Sequence, residues 1–268
     1  MQSTPDKTLA IIGGSGLTSL PGLEITDVEE KVSTPYGEPS GPLTHGRLHD
    51  HEIIFLPRHG VEHLLPPHRV NYRANLWALK EAGIHRILAV NAVGGIHPEL
   101  SPGRIAIPDQ IIDYTFDRAH TYFDGGPDLV SSPTRAFSEK AVIQVTHVDF
   151  TDPYCMALRA RLLAAAALAE VNVYFGGTYG ATQGPRLESR AEIDRMERDG
   201  CHMVGMTGMP EAALARELGL CYACCAVVAN WAAGRGVEAV IEIATIERVL
   251  HSAMDQVRAV MEPLIRGL

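Results

Sequence analysis

The chain has 268 residues, 46% of them hydrophobic and 21% charged, which excludes a disordered polymer and supplies a core of α/β size. Its formal net charge is −9, with no block of Lys or Arg, so a nucleic-acid footprint is excluded. The 25 glycines and 17 prolines are scattered without period, which excludes collagen-like and linker-rich architectures.

In chain order, the apolar run 9–12 predicts a buried strand that ends in the turn Gly13-Gly14-Ser15-Gly16. Residues 52–56 predict a second strand, followed by Pro57-Arg58-His59-Gly60. Residues 71–82 read as a helix stopped by Gly83, with Leu76 and Leu79 on one face. A strand over 86–90 is expected to end at Asn91-Ala92-Val93-Gly94-Gly95, and the run 105–112, broken by Pro108, continues the β pattern. Then come a helix over 154–171, a short strand over 173–175, helices over 190–199 and 211–218, an apolar strand over 220–228 and an amphipathic helix over 238–264. Strands alternating with helices predict an α/β fold, here one domain over 1–268 with a mixed, mainly parallel central sheet flanked by helices.

Five cysteines (Cys155, Cys201, Cys221, Cys224, Cys225) are too few for a disulfide framework, and a reduced, buried strand is the expectation for the cluster at 221–225. Cys221-x-x-Cys224 has the spacing of half a zinc site, but nothing completes it, so no metal is expected. Residues 1–7 lack the basic flank and apolar run of a signal peptide, and the nearly apolar run 221–233 is too short to span a bilayer. A cytoplasmic protein without membrane contact is expected.

The glycine turn fails three familiar tests. A dinucleotide fingerprint needs Gly where Ser19 stands, a Walker A loop needs a Gly-Lys-Ser/Thr ending, and a nucleophile elbow needs Gly where Leu17 stands. What remains suits a small anion, or is simply a tight turn. Arg58-His59 directly after a strand offers a guanidinium fork and a second donor to phosphate; an Arg paired with an acidic neighbour fits the dipeptide equally. If the strand ends carrying Gly13–Gly16, Arg58-His59, Asn91-Ala92 and Asn230 converge, they form one pocket.

Ile11-Ile12-Gly13-Gly14-Ser15-Gly16-Leu17, Arg58-His59-Gly60, Val70-Asn71-Tyr72-Arg73-Ala74-Asn75, Asn91-Ala92-Val93-Gly94-Gly95, Gly184-Pro185-Arg186 and Gly205-Met206-Thr207-Gly208-Met209-Pro210-Glu211 follow in this order. Together, over about residues 9–250, they resemble the trimeric purine nucleoside phosphorylases, and within them the methylthioadenosine phosphorylase branch. The resemblance implies cleavage of a purine nucleoside by inorganic phosphate as co-substrate, without metal or organic cofactor. It implies phosphate binding by Ser15, Arg58, His59, Asn91, Ala92 and Thr207, and a ribose contact by Met206. Asn230, His59 and Arg58 would be the catalytic groups. His147 matches a segment that reaches a neighbouring subunit's site near the nucleoside 5′ end, which implies a homotrimer or a dimer of trimers.

The chain departs from that branch in the base pocket. Where the branch carries Asp-x-Asp, this chain has Asn230-Trp231-Ala232, and Leu187-Glu188 stands where an aromatic and a small hydroxyl residue are usual. A 6-oxopurine presents an acceptor at O6 and donors at N1 and, on leaving, N7. An Asn amide and a carboxylate complement that set, whereas adenine mismatches both. Glu188 and Asn230 therefore predict a 6-oxopurine substrate, with Leu187 and Ala232 completing the base wall. Ile243 and Ile246, with Val240 nearby, fall where the branch holds a methylthio group, so the 5′ substituent is expected to be methylthio rather than hydroxyl. The alternatives are a general inosine/guanosine phosphorylase and a methylthioadenosine phosphorylase. His45, His49, His51, His63, His68 and His120 receive no role.

Overall fold

Short apolar runs punctuated by Gly and Pro become strands in the computed structural model, which describes residues 9–124, 146–236 and 241–268. The strands are β1 (Leu9–Gly13), β2 (Glu24–Glu29), β3 (Leu43–Leu48), β4 (His51–Pro57), β5 (Arg86–Gly95), β6 (Ile105–Ile107), β7 (Gln110–Asp113), β8 (Val173–Phe175), β9 (Thr178–Ala181), β10 (Cys201–Gly205) and β11 (Cys221–Trp231). The helices are α1 (Tyr72–Glu81), α2 (Met156–Leu168), α3 (Arg190–Arg198), α4 (Gly208–Glu217) and α5 (Ile243–Arg266). Among the described residues these eleven strands join one mixed sheet, ordered β2-β3-β4-β1-β5-β10-β9-β7, with β11, β6 and β8 branching from β5. Parallel pairs predominate, as expected.

The alternation of side chains along the central strands builds two cores. Ala10 and Ile12 of β1, Ile87 and Ala89 of β5, and Tyr222, Cys224, Ala226 and Val228 of β11 face the side covered by α1 and α4. Leu9 and Ile11, Leu88 and Val90, and Ala223, Cys225 and Val227 face the side covered by α2 and α5. Each Leu or Ile so buried contributes roughly 1.5–3 kcal/mol. The helices start where local chemistry provides caps. The Asn71 side chain accepts from the Ala74 N–H ahead of α1, and Ser189 with Glu192 forms a reciprocal capping box ahead of α3.

Strand β5 explains where the site lies. Its parallel ladder with β1 pairs Leu9–Ile12 with Arg86–Ala89, while β10 pairs antiparallel through Gly94 and Gly95. The carboxyl ends of β1 and β10 thus point at each other across residues 90–93 of β5, and both chains leave the sheet there. This is a crevice of the kind α/β sheets use for ligands.

The structure corrects several expectations. Strand β5 does not stop at Val90, because β10 and β11 continue its ladder to Gly95, so Asn91 and Ala92 lie inside a strand. Asn230 likewise lies inside β11, at a register shift between Val228 and Asn230 that re-aims its side chain. Helix α2 starts after the expected Tyr154, because Cys155 is held extended with its N–H on the Tyr222 carbonyl (2.8 Å). Strands β2, β3, β9 and β10 had no clear pattern: β2 is exposed throughout, and β9 and β10 are short and carry glycines.

The reduced reading of the cluster holds for Cys224 and Cys225, which are free and buried, as Cys201 is. It fails for Cys221, which forms a disulfide with Cys155 across 66 residues of sequence. Folding brings the residue before α2 beside the first residue of β11, a proximity no spacing rule encodes. The start of the last helix at 238 and Val240 lie outside the described residues. Among the described residues no helix is long and apolar enough to cross a membrane.

Candidate active site

The crevice opens into a cavity of about 500 Å³ whose walls include Gly14, Ser15, Arg58, His59, Ala92, Leu187, Glu188, Met206, Thr207, Asn230, Ala232, Ile243 and Ile246. Every one of these was reached from the sequence. Asn91 sits beneath the floor, fully buried, with its Nδ2 donating to Thr207 Oγ1 at 2.8 Å. Accepting that bond leaves the Thr207 hydroxyl proton free to donate into the cavity. His147 is exposed and does not line the cavity of its own chain.

Arg58 departs from the expected phosphate fork. It is fully buried, and its Nε and Nη2 donate to the two oxygens of Glu211 at 2.7 and 2.8 Å. Nη1 donates to the Val90 carbonyl (3.0 Å) and Nη2 also reaches Asn91 Oδ1 (3.3 Å). One Nη1–H is left unused, so the guanidinium has a single charged donor to offer rather than a bidentate clamp. A Cβ on Gly14 would come within 2.8 Å of Nη1 and 2.5 Å of the Val90 carbonyl, so only glycine lets the turn lie against this guanidinium. Burial works against the guanidinium's charge, but Glu211, by its charge and its hydrogen bonds, holds the Arg58 pKa above the ordinary value.

Glu211 had no role in the sequence reading, although it stands in a quoted motif. It is fully buried on the first turn of α4, and the Tyr222 hydroxyl donates a third bond to its Oε1 (2.8 Å). A carboxylate two residues beyond Met209 gave no signal, because its partner lies 153 residues away.

His59 is also corrected. Burial first, and then the Arg58 charge, lower its pKa to about 4, so the ring is neutral at pH 7. Its Nδ1 lies 2.7 Å from the Leu65 carbonyl, an acceptor only, so the proton sits on Nδ1. Nε2 then offers a lone pair, not a second donor. His63, which received no role, lines the same wall, with Nε2 at 3.3 Å from Ser15 Oγ and its ring 4.6 Å from that of His59.

Glu188, which also lines the cavity, is half-buried rather than solvated. The Thr182 hydroxyl donates to its Oε1 at 2.6 Å, which leaves Oε2 for another partner. Asn230 donates one Nδ2 proton to the Trp231 carbonyl (2.7 Å), keeping a second N–H and its Oδ1. Ile241, Ile243 and Ile246 add an apolar rim, where Ile243 is 61% exposed and Ile246 half-buried.

Residues 8–266 match the model of the phosphorylase superfamily. The chain belongs to the phosphorylase superfamily. It is an enzyme of the nucleoside phosphorylase type, a pentosyltransferase. It is 53% identical over 94% of its length, and 96% of the relative's, to a probable S-methyl-5′-thioinosine phosphorylase of Pseudomonas syringae. It is 44% identical to the 6-oxopurine nucleoside phosphorylase of Pyrococcus furiosus, covering 96% of this chain and 92% of that one. Among solved structures, methylthioadenosine phosphorylase from Schistosoma mansoni in complex with adenine superposes with a TM-score of 0.88 at 32% identity, over 97% of this chain and 91% of the other.

Proposed function

We propose that this enzyme cleaves a 6-oxopurine 5′-methylthio nucleoside with phosphate, converting 5′-methylthioinosine to hypoxanthine and 5-methylthioribose 1-phosphate in purine salvage. The observation that carries the reading is that Glu188 and Asn230 line the same cavity as Arg58 and Thr207. The free Oε2 of Glu188 suits the N1–H of hypoxanthine. The spare N–H of Asn230 suits O6, and its Oδ1 suits the proton that N7 gains as the base leaves. Adenine would set its N1 lone pair against a carboxylate, a buried mismatch of about 1–3 kcal/mol.

Phosphate is held by Ser15, the remaining Arg58 N–H, the Thr207 hydroxyl and the backbone at Ala92, with the His59 lone pair accepting a phosphate or ribose hydroxyl. As the C1′–N9 bond breaks, its electrons pass to the purine, which takes a proton from solvent at N7, and a phosphate oxygen forms the new bond to C1′. The protein's task is to hold the two reactants in line and to stabilise charge where it develops. Met206 lies against the ribose, and the Ile241–Ile246 rim accepts the methylthio group. The reading carries with it a homotrimer, or a dimer of trimers, in which His147 of one copy reaches the 5′ end of the nucleoside in the next. The relative in Pseudomonas syringae supports the substrate.

A general 6-oxopurine phosphorylase is the second reading, favoured by the exposure of Ile243 and by the relative in Pyrococcus furiosus. The deciding assay follows base release from 5′-methylthioinosine, 5′-methylthioadenosine and inosine, with and without phosphate. Phosphate-dependent release of hypoxanthine from methylthioinosine alone is expected. Equal cleavage of inosine would remove the role of the isoleucine rim, and preference for methylthioadenosine would overturn the base-wall reading.

A further inference from the structure

Arg118 follows β7 and lines no part of the cavity, yet it is only 8% exposed and, among the described residues, faces no carboxylate. A buried charge is costly unless every donor is used. Here every donor is used. Nε donates to Gln183 Oε1 (3.0 Å), Nη2 to the carbonyls of Thr182 (3.1 Å) and Gln183 (2.7 Å). Nη1 donates to the carbonyls of Met206 (2.8 Å) and Met209 (2.7 Å) and reaches the Tyr72 hydroxyl at 3.4 Å. Asp117, just before it, has φ 52°, a left-handed turn at the point where the chain directs Arg118 inward.

The acceptors belong to two separate segments of the site. Thr182 holds Glu188 through its hydroxyl, and Pro185, Leu187 and Glu188 of the segment that follows line the cavity as the base wall. Met206 and Thr207 form the ribose and phosphate wall, and Met209 precedes Glu211, the partner of Arg58. The guanidinium also lies 5.6 Å from the Tyr72 ring, whose hydroxyl holds the Pro67 carbonyl of a third part of the wall (2.9 Å). A planar fork with five donors can bridge these segments; no other side chain can do so at one point.

We propose that Arg118 is a positioning residue that fixes the base wall against the sugar–phosphate wall, so that a purine base in one strengthens the binding of phosphate in the other. The inference rests on the reading of the two walls given under Proposed function. Linkage makes the effect reciprocal: hypoxanthine tightens phosphate by the same factor as phosphate tightens hypoxanthine.

The test is calorimetric titration of inorganic phosphate into the wild type, R118K and Q183M, each alone and saturated with hypoxanthine, with circular dichroism as the check on folding. Lysine keeps the charge but offers donors from one atom, so it cannot span both segments. Q183M leaves the guanidinium in place and removes the Nε acceptor, which also accepts from the Phe116 N–H (3.2 Å). In the wild type hypoxanthine is expected to lower the phosphate Kd by about fivefold or more. In R118K the factor should fall below about twofold, and in Q183M to an intermediate value, with the Kd for phosphate alone changing less than the coupling. Coupling equal to that of the wild type in every folded variant, or independent binding of the two ligands to the wild type, overturns the proposal. A wild type that binds neither ligand refutes the reading of the two walls instead, and this inference with it.

Discussion

Replacing Glu211 by glutamine removes a charge and changes almost nothing in shape. Three bonds converge on that carboxylate, from Arg58 Nε (2.7 Å), Arg58 Nη2 (2.8 Å) and the Tyr222 hydroxyl (2.8 Å), and both members of the ion pair are fully buried. The glutamine can still accept from Arg58 or Tyr222, but its NH2 now faces a donor, and the Arg58 charge has no counterpart. Breaking a buried pair on one side costs about 3–5 kcal/mol, because the surviving charge cannot reach water. Removing the charge on both sides costs less, since neither partner is then stranded. E211Q is therefore expected to lose about 3–5 kcal/mol in urea denaturation, and R58M/E211Q less than E211Q alone, although the double variant loses phosphate turnover. The two single variants and the double close a thermodynamic cycle whose coupling measures the pair. A loss below about 1 kcal/mol in E211Q, or a double variant whose loss equals the sum of the singles, would refute the view of Arg58 as a buried charge held by Glu211.

In the base wall, E188Q/N230D should raise the preference for 5′-methylthioadenosine over 5′-methylthioinosine in kcat/KM by about 5- to 150-fold for each corrected contact; an unchanged ratio would show that neither side chain meets the base. His59, lowered from 6.5 to about 4 in the fold, binds a proton more readily when unfolded. Stability should therefore fall as pH drops from 6.5 through about 4, by up to roughly 3 kcal/mol, and H59N should flatten that part of the profile in denaturation measured across the window. Above pH 6.5 both states are neutral at this ring and no further change comes from it. The Cys155–Cys221 disulfide closes 66 residues, for which chain entropy gives about 4 kcal/mol, so reduction or C155S/C221S should lower the unfolding free energy by about that amount. Identical denaturation curves with and without reductant would argue against the bond.

The sequence alone determined the parts whose causes are local. Strands β1, β4, β5 and β8 were legible because short apolar runs meet Gly or Pro, and α1 because Leu76 and Leu79 share a face and Gly83 stops the run. The order of the motifs identified the family, and the identity of Glu188 and Asn230 already specified the donors and acceptors on which the proposed base wall rests. Tertiary structure decided whatever depends on a partner far along the chain. Whether the Arg58 fork meets an anion or a carboxylate depends on Glu211, 153 residues away. Whether His59 donates or accepts depends on how deeply the fold buries it and on where the Leu65 carbonyl falls. Cys155 meets Cys221 because α2 and β11 pack on one core, and Arg118 joins two walls because β7 and β9 lie side by side. A side chain's inventory of donors and acceptors is written in the sequence, but which of them remain unused, and so face a ligand, is fixed only when distant segments have taken the rest.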